Sequence, residues 1–211
     1  GYVCAGIFKS QEEVDNHAKQ EGAAVGRLRY RDLDGNGIIN DADKDWICSP
    51  VPDFTYGLNI YLEYKGFDFT AFMQGVAGLD IVNDVKRRTD FFGIENMPYL
   101  NKGDRLMGAW SLANPDSDIP AVSLNNLNRE DRLSTYYVEN GSYLKLRNLQ
   151  IGYSFQSKIL KKINMTRLRM YLSAQNVLTI KGGSFTGVDP EIPNMSYPIP
   201  MNLTFGINVG F

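Results

Sequence analysis

Apolar and aromatic residues occupy every second position from Phe54: Phe54, Tyr56, Leu58, Ile60, Leu62 and Tyr64 alternate with Thr55, Gly57, Asn59, Tyr61 and Glu63. Successive side chains of an extended chain point to opposite faces, so a period of two predicts a strand with one apolar face. Lys65-Gly66 then supplies a two-residue link, after which Phe67, Phe69, Ala71 and Met73 alternate with Asp68, Thr70, Phe72 and Gln74. Across such a turn Tyr64 and Phe67 pair and share a face, so the apolar set of the first strand continues into the second. The pattern returns at Leu149, Ile151, Tyr153 and Phe155, at Leu168, Met170, Leu172 and Ala174, and from Met201 through Leu203, Phe205, Ile207 and Val209 to Phe211. The fold class is all-β, built of antiparallel amphipathic strands separated by long loops.

Alternation alone does not say which solvent each face meets, because a soluble sandwich alternates too. Three details do. The strands run to about ten residues, the length that crosses a bilayer when tilted and more than most globular strands reach. Aromatic residues (Phe54, Tyr56, Tyr64, Phe67, Tyr153, Phe155) gather near strand ends, as in the girdles that flank an outward apolar band. The connections are asymmetric, a tight turn at 65–66 against a polar excursion from Val76 to Tyr137, as in outer-membrane barrels. The chain divides into an outer-loop region at 1–53, a barrel hairpin at 54–76, a long extracellular loop region at 77–142 and C-terminal barrel strands at 143–211.

Charge and composition remove other classes. With 22 basic and 24 acidic residues the net charge is −2, without the basic face of nucleic-acid binders. No apolar run is long enough for a membrane helix, and no basic-then-apolar segment predicts a signal peptide. Catalytic motifs are missing, so no enzyme activity is expected. His17, within SQEEVDNHAKQEG, is expected at the surface, and the pairs Glu12-Glu13 and Glu130-Asp131 in solvated loops. Cys4 and Cys48 are compatible with either a disulfide or two thiols. Trp46 and Trp110 are candidates to stack on a sugar ring, with packing inside a loop as the other reading.

Residues 32–43 read DLDGNGIINDAD. The spacing matches a calcium loop: Asp32, Asp34 and Asn36 at positions 1, 3 and 5, Gly37 at the sharp turn, the carbonyl of Ile38 at position 7, Asn40 at position 9 and Asp43 at position 12. Asp43 replaces the longer Glu of calcium sensors, and Arg27–Arg31 reads as extended rather than helical. A structural Ca²⁺ turn is therefore expected, the alternative being a turn rich in Asp, Asn and Gly that holds no metal.

Several blocks resemble the C-terminal part of SusC/RagA-type TonB-linked outer-membrane transporters: GIFKSQEEVDN, RYRDLDGNGIINDADK, SPVPDFTYGLNIYLEYKGFDFTAFMQGVAG, YVENGSYLKLRNLQIGYSF, LRMYLSAQNVLTI, GVDPE and TFGINVGF. The last fits the signal read by the barrel-assembly machinery, through Thr204, Gly206, Val209 and Phe211. The resemblance implies a barrel of about 22 strands, of which these strands could form only a part. It also implies import of oligosaccharides or peptides, a SusD-like surface lipoprotein as partner and energy from the TonB complex through segments not present here. A soluble, calcium-stabilised β-rich carbohydrate-binding module is the competing function.

Overall fold

The alternation that begins at Phe54 forms the strands it predicts. A computed structural model describes residues 1–92, 101–123, 125–156, 160, 164–183 and 185–211, so positions 93–100 and 124 of the long excursion lie outside the described residues. Strands are numbered in chain order: β1 (Cys4–Ile7), β2 (Leu28–Tyr30), β3 (Phe54–Tyr64), β4 (Phe67–Ala77), β5 (Asp80–Val82), β6 (Val138–Asn140), β7 (Tyr143–Ser154), β8 (Arg167–Lys181) and β9 (Asn202–Gly210). Among the described residues, short α-helices are formed at α1 (Gln11–Asp15) and α2 (Asp84–Arg87). The chain separates into two units, one of Gly1–Ser49, Ile81–Glu139 and Pro193–Met195, the other of Pro50–Asp80, Asn140–Ile192 and Ser196–Phe211.

The second unit is a five-stranded antiparallel sheet in the order β3-β4-β7-β8-β9. β3 and β4 pair without interruption from Phe54↔Ala77 to Tyr64↔Phe67. Their turn has φ of 48° at Lys65 and 89° at Gly66, the doubly left-handed geometry whose twist matches that of the strands it joins. Two irregularities interrupt the sheet, one at Arg147 in β7 and one at Asn176-Val177 in β8. In β7, Leu146 opposes Met73 and Asn148 opposes Phe72, so Arg147 is an extra residue. This bulge corrects the phase: it keeps Leu144 and Leu146 on the side of Met73 and puts Lys145 opposite Gln74. At the turn end, Phe67, Tyr153 and Phe155 stack in series with ring centroids 4.6 and 4.9 Å apart.

The first unit buries Tyr2, Ile7, Leu28, Tyr30 and Ile39 together around the β1–β2 pair. β2 lies between a strand and a row of side chains. Gln20 donates to the Leu28 carbonyl (2.7 Å) and accepts from the Tyr30 amide (3.0 Å), Asn128 donates to the same carbonyl (3.0 Å), and Glu130 accepts from the Leu28 amide (3.1 Å). These three buried side chains replace the missing neighbour strand, as a buried backbone requires.

Two expectations are corrected here. Glu130 is not solvated: it is 2% exposed and paired with Arg27 at 2.9 Å, because β2 needs its carboxylate. His17 is not a surface residue either; it is half-buried, with its ring edge-on to Phe8 at 5.1 Å. Cys4 and Cys48 are both free thiols.

Candidate functional site

The register assembles three apolar rows across all five strands of the sheet. They are Ile60-Ala71-Leu149-Ala174-Leu203, Leu62-Phe69-Ile151-Leu172-Phe205 and Tyr64-Phe67-Tyr153-Met170-Ile207. The intervening rows are largely polar: Asn59-Phe72-Asn148-Gln175-Asn202, Tyr61-Thr70-Gln150-Ser173-Thr204 and Glu63-Asp68-Gly152-Tyr171-Gly206. The apolar face is not a core. Leu62 is 60% exposed, Ile151 50%, Leu172 51% and Phe205 61%. A contiguous apolar surface of this breadth is expensive in water and at home in hydrocarbon.

The polar face carries fixed charge pairs. Arg169 binds Asp68 through two nitrogens at 3.0 and 2.5 Å, reaching across Gly152 in the strand between them. The Tyr171 ring stacks on Arg169 at 5.1 Å and lies over Gly206, where a side chain would collide with it. At the opposite end of the strands Lys145, 2% exposed, donates to both oxygens of Asp189 (2.7 and 2.8 Å) and to Glu191 (2.7 Å). Arg147, the bulge residue, also binds both Glu191 oxygens. Burial raises the Glu191 pKa, but hydrogen bonds from Arg147, Lys145 and Tyr143 outweigh it and hold the carboxyl down to about 2. This cluster ties GVDPE to β7; the motif is visible in sequence, its partners are not.

The DLDGNGIINDAD loop is held by backbone bonds and by its own side chains. Lys19 donates to the Gly37 carbonyl (2.8 Å), Ile39 donates to the Lys19 carbonyl (3.0 Å), and the Ile39 side chain anchors in the core. Asp32 accepts from the amides of Gly35 and Gly37, both at 2.8 Å, and Gly35 and Gly37 take the positive φ values of 72° and 79° that this wrapping needs. Asp43 is fully buried and accepts from the amides of Leu33 and Asn40, each at 2.7 Å. Burial pushes its pKa up, yet these backbone amides more than compensate and the carboxyl sits below the usual range. Carboxylate oxygens of Asp32, Asp34 and Asp43 lie within 4.8 Å of one another, an all-oxygen set that fits a hard cation. Asn36 accepts from the Ile38 amide and donates to Asp34 (both 2.8 Å). Asn40 caps the 3-10 turn Asp41–Asp43 through the Ala42 amide (2.8 Å) and donates to the Ile38 carbonyl (3.1 Å), a second role that the spacing alone does not reveal.

The remaining candidates are dispersed. Trp46 is 80% exposed, whereas Trp110 is partly buried against the Tyr2–Tyr30 cluster and lies over Gly26. Thr204 and Gly206 belong to the polar rows, Val209 pairs with Leu168 among the apolar positions, and Phe211 is 86% exposed.

No family model matches the chain. Over its whole length it is 32% identical to TonB-dependent receptor P3 of Formosa agariphila, 30% to receptor P26 of the same organism, and 26% to TonB-dependent receptor SusC of Bacteroides thetaiotaomicron. It spans about a fifth of each relative, 22, 22 and 20% respectively. It also superposes in full on solved structures of the RagAB peptide importer, with a TM-score of 0.75 in the open-open state and 0.73 in the closed-closed state. Both share 24% identity and 22% of the importer chain is covered, a likeness that bears on the fold.

Proposed function

Since the chain belongs to the TonB-dependent receptors of the SusC and RagA kind, which are outer-membrane proteins, we propose that it forms part of the wall and outer loops of a nutrient importer. The cargo class is oligosaccharide or peptide, the energy comes from the TonB complex, and a SusD-like surface lipoprotein is the partner. The observation that carries this reading is the set of three apolar rows crossing five strands, exposed on one side and backed by polar rows on the other. A soluble binding module would bury such rows, so their exposure weighs against that alternative. The four residues Thr204, Gly206, Val209 and Phe211 serve in this reading as the signal for barrel assembly.

The test compares cells carrying and lacking the gene, grown on oligosaccharide or peptide pools as sole nutrient. Growth on one pool should be lost with the gene and with TonB function. A protein found in the soluble fraction, with unchanged growth, would overturn the reading.

A structural Ca²⁺ belongs to the same proposal, held by Asp32, Asp34, Asp43, Asn36, the Ile38 carbonyl and, through water, Asn40. Its chemistry would be charge neutralisation and rigidity, since three carboxylates so close repel one another without a cation. Chelation should increase proteolysis within residues 32–43, and added calcium should reverse it; unchanged cleavage would remove the ion from the account.

A further inference from the structure

We propose that the apolar face of the five-stranded sheet holds one anionic phospholipid near the Lys65-Gly66 turn, with an acyl chain in a trough between β7 and β8 and the phosphate beside Lys65. The proposal needs the outer-membrane location and the assignment of faces, and is independent of the cargo. The trough is walled by Phe67, Ile151, Tyr153, Met170, Leu172 and Phe205 and floored by Gly152 and Tyr171 of the alternate row. Its volume of about 210 Å³ is below that of sites for whole small ligands and suits part of a single flexible chain. It opens onto the side where Ile151, Leu172 and Phe205 are half or more exposed.

Connectivity decides which leaflet supplies the lipid. The trough spans the two apolar rows nearest the Lys65-Gly66 turn. At this end the connections are 65–66 and 155–166, whereas those at the other end, 78–142 and 182–201, are longer. Short connections of outer-membrane barrels face the periplasm, so the inner, phospholipid leaflet meets this end.

Charge decides the headgroup. Lys65 is exposed and has no carboxylate partner among the described residues; its ammonium lies 5.0 Å from the centre of the Tyr64 ring. Gly66 beside it lies against the Tyr153 ring that walls the trough. Arg167, which opens β8 at the same end, also lacks a carboxylate partner among the described residues. The acids of this end are engaged, Asp68 by Arg169 and Glu63 by the Tyr61 hydroxyl at 2.9 Å. By sequence, the connection FQSKILKKINMT adds Lys158, Lys161 and Lys162 and no acid. Lysines beside an aromatic belt attract anionic headgroups, and this concentration of positive charge stands out in a chain of net charge −2. Lys65 also holds φ of 48°, a left-handed turn position where Asn is the favoured residue, so the turn forgoes its best chemistry to carry a cation.

The experiment records native mass spectra of the full-length receptor in detergent after equilibration with dioleoylphosphatidylglycerol or dioleoylphosphatidylcholine, which share their chains and differ in charge. The first should be retained at least about fivefold more, the ratio that one lysine beside an anionic headgroup supplies. Lys65→Asn should remove most of that preference, and because Asn-Gly is a favoured pair for this turn the variant keeps its hairpin. Leu172→Trp fills the trough and should lower phosphatidylglycerol retention, whereas Leu58→Trp, on the same face outside the trough, should not. Heat-modifiable migration shows that each variant compared is a folded barrel. Equal retention of the two lipids, an unaltered preference in Lys65→Asn, or equal effects of the two tryptophans would overturn the site. So would a receptor dimer that takes the place of bound lipid and is dissociated by Leu172→Trp, since the trough would then belong to a second copy of the chain.

Discussion

Asp90 shows what burial does to a single group. It is fully buried, bound to Arg105 at 2.7 Å, and its pKa is pushed up to about 6 by desolvation against the opposing pull of Arg105 and Lys86. Its folded pKa lies above the ordinary carboxylate value, so between about pH 4 and 6 the folded chain binds more protons than the unfolded one. Stability therefore falls as pH rises through that window and levels off above it. The contribution is on the order of 2 to 3 kcal/mol at most. Hydrogen exchange of the 84–92 segment at pH 4 to 7 should show faster opening with rising pH, and Asp90→Asn should flatten the slope; an unchanged slope would assign the effect elsewhere. At Gly206 the constraint is spatial: Gly206→Val should displace the Tyr171 ring and, through it, Arg169 from Asp68, lowering the yield of folded barrel more than Asn208→Val, and equal yields would refute the packing role. The closeness of the Asp32, Asp34 and Asp43 carboxylates could be read from spacing because all three lie within one short loop. Glu130 and His17 could not. Glu130 meets Arg27 across 103 positions, and nothing local marks a polar side chain that a distant strand edge will bury.

At the scale of elements, β3, the turn and the start of β4 were readable to the residue because period two and a two-residue turn are both local signals, while β4 runs on to Ala77, past the expected end of the hairpin at 76. The bulge at Arg147 was not, since an extra residue has meaning only against the partner strand that skips it. β8 likewise runs past Gln175 to Lys181, through Asn176 at φ 54°, where the alternation breaks while the pairing resumes. Orientation of the strands makes a direct prediction. Ile60→Arg places a charge in the middle of an apolar row and should cost about 2 to 4 kcal/mol of barrel stability, whereas Asn59→Arg on the polar face should be tolerated. Heat-modifiable barrel in outer-membrane fractions measures both. Equal tolerance would contradict the assignment of faces.

For the whole molecule, the central claim is that the sheet of β3, β4, β7, β8 and β9 lies between lipid and a polar interior. The two edge strands, β3 and β9, have no further neighbour among the described residues, and unpaired backbone in hydrocarbon costs several kcal/mol per group, so the sheet requires additional strands on both sides. That demand agrees with a chain that spans about a fifth of its relatives. Spin labels placed singly at positions 58 to 63 and at 172 and 173 of the full-length receptor in native outer-membrane vesicles, after replacement of Cys4 and Cys48 by serine, report lipid and water contact separately. Labels at Leu58, Ile60, Leu62 and Leu172 should be relaxed by oxygen, which concentrates in lipid, and protected from an aqueous nickel chelate, while those at Asn59, Tyr61, Glu63 and Ser173 should not share the oxygen effect. Loss of this alternation, or free access of the chelate to Ile60 and Leu172, would contradict the account.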